Sequence, residues 1–146
     1  MARGYPDFFG QLIVPKYGTA YTQAQLALTV GAADNEDIFS LAYKGRIYGG
    51  YFELTRPVGE TFATIRVLID GQTICQLAPE NFLNRGLASP AVSALFAVFI
   101  SPVIARYVFA LTPDMVFEQT FVVNVANGDP LNDIGVVGNL LYTFIM

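Results

Sequence analysis

Cys75 is the only cysteine of this chain, twelve aspartates and glutamates are spread along it, and it has no histidine. Those facts bound the chemistry. A Ser-His-Asp triad and a Cys-His pair are both excluded, because each needs a base that titrates near neutrality. A zinc site would have to rest on carboxylates, and one cysteine allows no intramolecular disulfide. Cys75 sits beside Ile74 and near Leu77, with no cation adjacent in sequence, so it reads as a buried structural thiol rather than a nucleophile.

Two carboxylates flanking a sugar bond are enough for a glycosidase, which keeps that activity as a remote reading. The acids, however, concentrate in turns. Asp34, Glu36 and Asp37 fall in one and Asp129 and Asp133 in another, while Glu53 and Glu118 alternate outward on strands, as solvated turn and face residues do. Neither "DNED" nor "DPLND" has the spacing, central glycine and terminal glutamate of an EF-hand loop. A weak surface calcium site stays open, but no metal ligand and no catalytic residue is assigned. Gly45, Gly49 and Gly50 lie in strand context without a following helix, so nucleotide binding has no support and no cofactor is expected. Tyr43, Tyr48 and Tyr51 could stack on sugar rings, which keeps a carbohydrate-binding sandwich as the alternative reading.

The elements that would position these residues read as strands. Gln25–Val30 alternates and ends at Gly31, and Asp34-Asn35-Glu36-Asp37 predicts a turn before Ile38–Tyr43. Arg46–Thr55 puts Tyr48, Phe52 and Leu54 on one face and Ile47, Tyr51 and Glu53 on the other. Its paired glycines 49 and 50 predict a bulge or a close approach by another backbone, for which a neighbour's arm is a candidate. Thr61–Ile69 directs Ala63, Ile65, Val67 and Ile69 to one side. It runs into Asp70-Gly71, a type I′ signal, and returns as Gln72–Leu77, the strongest hairpin signal in the chain. Residues 79–86, "PENFLNRG", carry the proline, acid, arginine and terminal glycine of one short helix. Ala91–Ile100, Ile104–Leu111 and Val116–Ala126 follow as strands. In the last, Phe117, Gln119, Phe121, Val123 and Val125 share a face. Asn127–Gly135 is a loop and Val136–Met146 a closing strand. About eight strands with short turns predict an all-β antiparallel β-sandwich, jelly-roll-like, with at most one short helix.

At 146 residues, with 53% hydrophobic and 14% charged residues, the chain has one domain's length and fewer ionic side chains than the usual ~25%. The deficit predicts apolar surface hidden against another subunit. A net charge of −4 with scattered cations offers no basic cluster for nucleic acid. The apolar run Leu12-Ile13-Val14 is too short for a secretory signal. Residues 86–105 are uncharged for a bilayer-spanning length, but Pro90 and Pro102 fall inside and Arg85 and Arg106 flank it symmetrically. Strands on either side argue against a membrane helix.

The first nineteen residues, "MARGYPDFFGQLIVPKYGT", obey neither a helix nor a strand period. Disordered tails are poor in aromatics, whereas this one would leave Tyr5, Phe8, Phe9, Leu12, Ile13, Val14 and Tyr17 in water. Burying each such side chain is worth about 1.5–3 kcal/mol, so several together offset a large part of an ordering entropy of roughly 1–2 kcal/mol per residue. Pro6 and Pro15 keep the segment out of a helix. It reads as an extended arm, residues 1–19, that binds neighbouring subunits, with residues 20–146 forming the single β-domain.

The opening "ARGYPDFFGQ" through "PKYGT", followed by a β-domain, resembles small structural proteins of tailed bacteriophages of the capsid decoration, or auxiliary, type. That resemblance implies a non-enzymatic virion protein on the capsid surface that cements a shell, commonly as a homotrimer. Its partners would be further copies of itself and the major capsid protein or other virion subunits, with no nucleic acid and no membrane. The alternative becomes a carbohydrate-binding β-sandwich of a phage tail or adhesin.

Overall fold

The structure, a computed structural model, describes residues 22–55, 63–78, 94–101 and 106–145. The short helix expected at 79–86 and the whole arm, with Tyr5, Phe8, Phe9, Leu12, Ile13, Val14 and Tyr17, lie outside the described residues. Those that are described form ten strands, against about eight expected: β1 (Thr22–Val30), β2 (Asn35–Ala42), β3 (Gly45–Thr55), β4 (Ala63–Ile69), β5 (Gln72–Leu77), β6 (Leu95–Ser101), β7 (Arg106–Leu111), β8 (Met115–Phe117), β9 (Thr120–Asn127) and β10 (Ile134–Phe144).

Every pairing is antiparallel. One sheet runs β1-β10-β3-β7-β6, with β8 continuing β7 along β3, and the other runs β2-β9-β4-β5. With β7 and β8 counted as one interrupted strand and β6 as an added edge, eight strands remain, ordered 1-8-3-6 and 2-7-4-5. The β1–β2, β3–β4 and β9–β10 connections each cross between sheets. This is the jelly-roll arrangement. The all-β sandwich expected from the short alternating strands is what the chain forms.

Period-two alternation places the core between the sheets. Ala63, Ile65 and Val67 on β4 and Phe121, Val123 and Val125 on β9 are all essentially inaccessible, and they meet Phe52, Leu54, Tyr107, Phe109, Val136 and Leu140 of the larger sheet in one cluster. Phe52 stacks on Phe109 across β3 and β7 with ring centroids 5.7 Å apart. Cys75 is buried in the same cluster, and desolvation raises its thiol pKa while a backbone hydrogen bond at Ala94 opposes the shift. It is a core residue, as its neighbours implied.

Three local readings change. On β3, Ile47 is buried together with Phe52 and Leu54, and Tyr48 is not. The register shifts at this point, where Gly49 opposes Leu141 but Ile47 opposes Tyr142. The extra residue of this bulge reverses the phase that simple alternation assigns. Gly50 also admits a close backbone, as expected, and within this chain it is that of β10: a Cβ on Gly50 would lie 2.6 Å from the Asn139 carbonyl oxygen, whereas one on Gly49 would meet nothing within 4 Å.

The stretch read as one strand, Val116–Ala126, is two. β8 pairs β3 in the larger sheet and β9 pairs β2 and β4 in the smaller, so the chain changes sheets at Glu118-Gln119. Phe117 and Phe121 still point into the same core, rings 5.9 Å apart, but Gln119 is exposed at the corner. The corner is held from a distance. Asp70 and Gly71 take the positive φ values of 53° and 78° that a type I′ turn requires. That turn aims the Asp70 carboxylate at the corner, where its Oδ1 accepts the backbone N–H groups of Glu118 (3.0 Å), Gln119 (2.7 Å) and Thr120 (3.0 Å). Those bonds, to Thr120 foremost, hold the Asp70 carboxyl below its ordinary pKa.

Candidate interaction surfaces

Several of the described carboxylates that could have supported catalysis are engaged in bonds within the fold. Glu53 forms an ion pair with Arg106 on the neighbouring strand at 2.7 Å, and that hydrogen bond lowers its pKa against the opposing pull of burial. Glu118 pairs with Lys44 at 3.0 Å. Asp34 accepts the Asn35 N–H, Asp37 accepts from the Asn124 amide, and Asp133 accepts the Ala32 N–H. Asp129 is buried and its Oδ1 accepts the N–H groups of Leu131 and Asn132. Among the described residues no three of His, Cys, Asp and Glu converge as metal ligands, and no helix is long and apolar enough to cross a membrane.

Asn127 and Asp129 together form a buried polar knot that sequence reading left as plain loop. The Asn127 amide donates to the carbonyls of Gly31 (3.0 Å), Asn132 (2.8 Å) and Val30 (3.3 Å), and its Oδ1 accepts the Asp129 N–H (3.0 Å). The Asp129 carbonyl in turn accepts the Ala33 N–H at 2.8 Å. One side chain thus ties the β1–β2 turn to the β9–β10 loop. The signal was present in the alternating Asn and Asp of "NGDPLND", residue types whose side chains bond backbone two or three positions on.

Among the described residues, the two outer faces of the sandwich differ. The outer face of the smaller sheet carries more polar pairs, beside the partly exposed Ile74 of β5: Asn35 and Asp37 accept from the Asn124 amide across β2 and β9, and Arg66 donates to Gln76 across β4 and β5 at 3.2 Å. Ser40 and Thr73 are exposed beside them. The outer face of the larger sheet is largely apolar. In register, Ala27 of β1 lies beside Val137 of β10, and Val137 beside Glu53 of β3. One row on, Asn139 lies beside Tyr51. Tyr51 is 50% exposed, Val137 47% and Val98, at a bulge on β6, 57%. Val137 stands as a ridge between two open depressions of about 340 and 430 Å³. The first is bordered by Tyr51 and Asn139, the second by Thr55 and Gly135.

A smaller apolar group caps one end of the sandwich. Tyr43, 78% exposed in the β2–β3 turn, meets Phe144 edge-on, and Phe144 meets Tyr142. Tyr43 takes a φ of +75°, a conformation that a bulky side chain seldom adopts. The three tyrosines singled out for sugar stacking are therefore not one platform. Tyr43 belongs to this end, Tyr48 to the bulge, and Tyr51 to the outer face, six residues past the start of β3, about 20 Å along an extended strand.

No protein-family model and no curated protein sequence matches the chain. Among solved structures, a chain in the acidic stable capsid structure of Helicobacter pylori bacteriophage KHP30 is similar over 86% of this chain and 89% of its own, with a TM-score of 0.50 at 11% identity. A chain of the cyanophage Pam1 capsid asymmetric unit is similar over 92% of this chain and 93% of its own, with a TM-score of 0.50 at 15% identity. The likeness is of fold. Because it spans nearly all of both partners in each case, the matching chains are of about this chain's length.

Proposed function

We propose that this chain is a non-enzymatic structural protein of a virion, a decoration or cement protein on the capsid surface. It binds and stabilises the shell, assembles with itself as a trimer through apolar β surface, and uses its N-terminal arm to engage neighbouring copies or the major capsid protein. The observation that carries this reading is end-to-end similarity of fold to small chains in two phage capsid structures. The contrast between a polar and an apolar outer face supports it, since exposed apolar surface of this kind marks a contact. So does the engagement of Glu53, Asp70, Glu118 and Asp129 in structural bonds.

Deleting residues 1–19 and measuring co-sedimentation with undecorated shells tests the proposal. The truncated protein is expected to fold, because the described core begins at β1, and to lose shell binding. Decoration at the level of the full chain would refute it. The carbohydrate-binding reading ranks second because its tyrosines are dispersed over three places. Binding on a glycan array that depends on Tyr51 would reverse that order.

A further inference from the structure

The apolar outer face of the larger sheet has no occupant among the described residues, and its size limits what the occupant can be. Four strands at about 4.8 Å spacing and five residues at about 3.4 Å give roughly 300 Å², well below the ~800 Å² per partner of a stable rigid interface. A second copy laid flat on this patch would need further contacts to be held. An apolar segment of that copy, filling the two depressions beside Val137 and continuing past the sheet, would supply them.

We propose that this face receives residues 1–21 of a second copy of this chain. The inference rests on the reading of the N-terminal residues as a contact arm and adds where that arm binds. Twenty-one residues at about 3.3 Å each reach roughly 70 Å, against a sheet five strands wide, roughly 24 Å. The segment supplies eight large aromatic or aliphatic side chains besides Met1, among them Phe8 and Phe9, to a face whose depressions are open. Charge favours the same match. Residues 1–21 hold two cations and one anion, and the rest of the chain six cations and eleven anions, so the segment is attracted to the domain. Thr22 pairs with Tyr142 and Ala27 with Val137, so β1 begins about 17 Å from the depressions, and a segment of this reach extends well past its own sheet to a neighbour's; the choice of a second copy follows the contact-arm reading.

The test uses the full chain with the photo-crosslinking residue p-benzoylphenylalanine in place of Tyr51, prepared as a mixture of light and nitrogen-15-labelled protein. After irradiation and digestion, mass spectrometry should find position 51 joined to residues 5–17 in mixed light-heavy pairs. Val137→Glu should lower the yield of those pairs roughly tenfold, about the effect of losing one buried valine contact, with an unchanged circular dichroism spectrum. The same probe at Thr73, on the polar face, should give no such pairs. Cross-links confined to one chain, cross-links to other segments, an absence of intermolecular products, or a yield indifferent to Val137→Glu would each overturn the inference. No shell is needed for this measurement, so its failure is separate from a failure of shell binding by the intact protein.

Discussion

Replacing Asn127 tests whether the fold depends on one side chain at the β1–β2 end. Asn127 is 3% exposed and makes four hydrogen bonds: three donated to carbonyls on two separate loops and one accepted from the Asp129 N–H. A typical intramolecular hydrogen bond contributes about 0.5–1.5 kcal/mol net, and a buried group left without a partner costs about 1–3 kcal/mol. The Val30 bond is long at 3.3 Å and contributes least. Asn127→Ala should therefore cost about 3–4 kcal/mol, a large share of the 5–15 kcal/mol that holds a domain. With a urea m-value of about 2 kcal/mol/M, the unfolding midpoint should fall by about 1.5–2 M, measured at one fixed protein concentration because assembly adds to apparent stability. Asn127→Asp separates polarity from shape. It is nearly isosteric and keeps the acceptor for the Asp129 N–H, but at neutral pH it turns a carboxylate oxygen toward three carbonyls. It should lose at least as much as the alanine variant. An Asn127→Asp protein as stable as the parent would refute the account.

Gly138→Ala should destabilise by about 1–3 kcal/mol, the usual range for overpacking, because its Cβ would stand 2.6 Å from the Tyr51 carbonyl oxygen and 2.9 Å from the Phe52 Cβ. Gly135→Ala, three residues earlier with its nearest contact at 3.7 Å, should be neutral or slightly stabilising in the same urea titration; equal costs at the two sites would contradict the register. The pH dependence follows from Glu53 and Asp70, whose folded pKa values lie below the ordinary 4.5 and 3.8. Their contribution is complete above those unfolded values and is lost as pH falls through the lower folded ones. The urea midpoint should be level from pH 7 to 5 and decline below about 4.5, and Asp70→Asn should flatten the most acidic part of that decline. A midpoint that rose on acidification would show the sign to be wrong.

The class of fold was legible because its signals are local. Ala63, Ile65 and Val67 alternate with Thr64 and Arg66, and Asp70-Gly71 names its turn; both survive in the structure. What escaped depends on partners distant in sequence. Nothing within Arg46–Thr55 shows that its register with β10 shifts between Ile47 and Gly49. The sheet change at Glu118-Gln119 is likewise invisible in a run whose apolar residues 117, 121, 123 and 125 keep one parity throughout. The carboxylate that caps the corner is 48 to 50 residues away. Strand order is of the same kind, since β10 pairs with both β1 and β3 without any mark of either in its sequence.

The shortage of charge also takes on a different meaning. Read as composition, 14% charged residues implied that much of the surface is hidden. The structure divides that shortage between two faces. On the smaller sheet, water is met by neutral polar groups such as Ser40, Thr73, Gln76 and Asn124, which need no ionic side chains to be solvated. On the larger sheet, Glu53 and Arg106 neutralise each other at 2.7 Å, and Tyr51, Val98 and Val137 stand partly in water around them. This second face carries a cost that hiding would remove, as does the Tyr43–Phe144 end of the sandwich. A charge introduced at Thr73 should therefore leave association unaffected, whereas one at Val137 should weaken it, because apolar contact at Val137 is what association would lose.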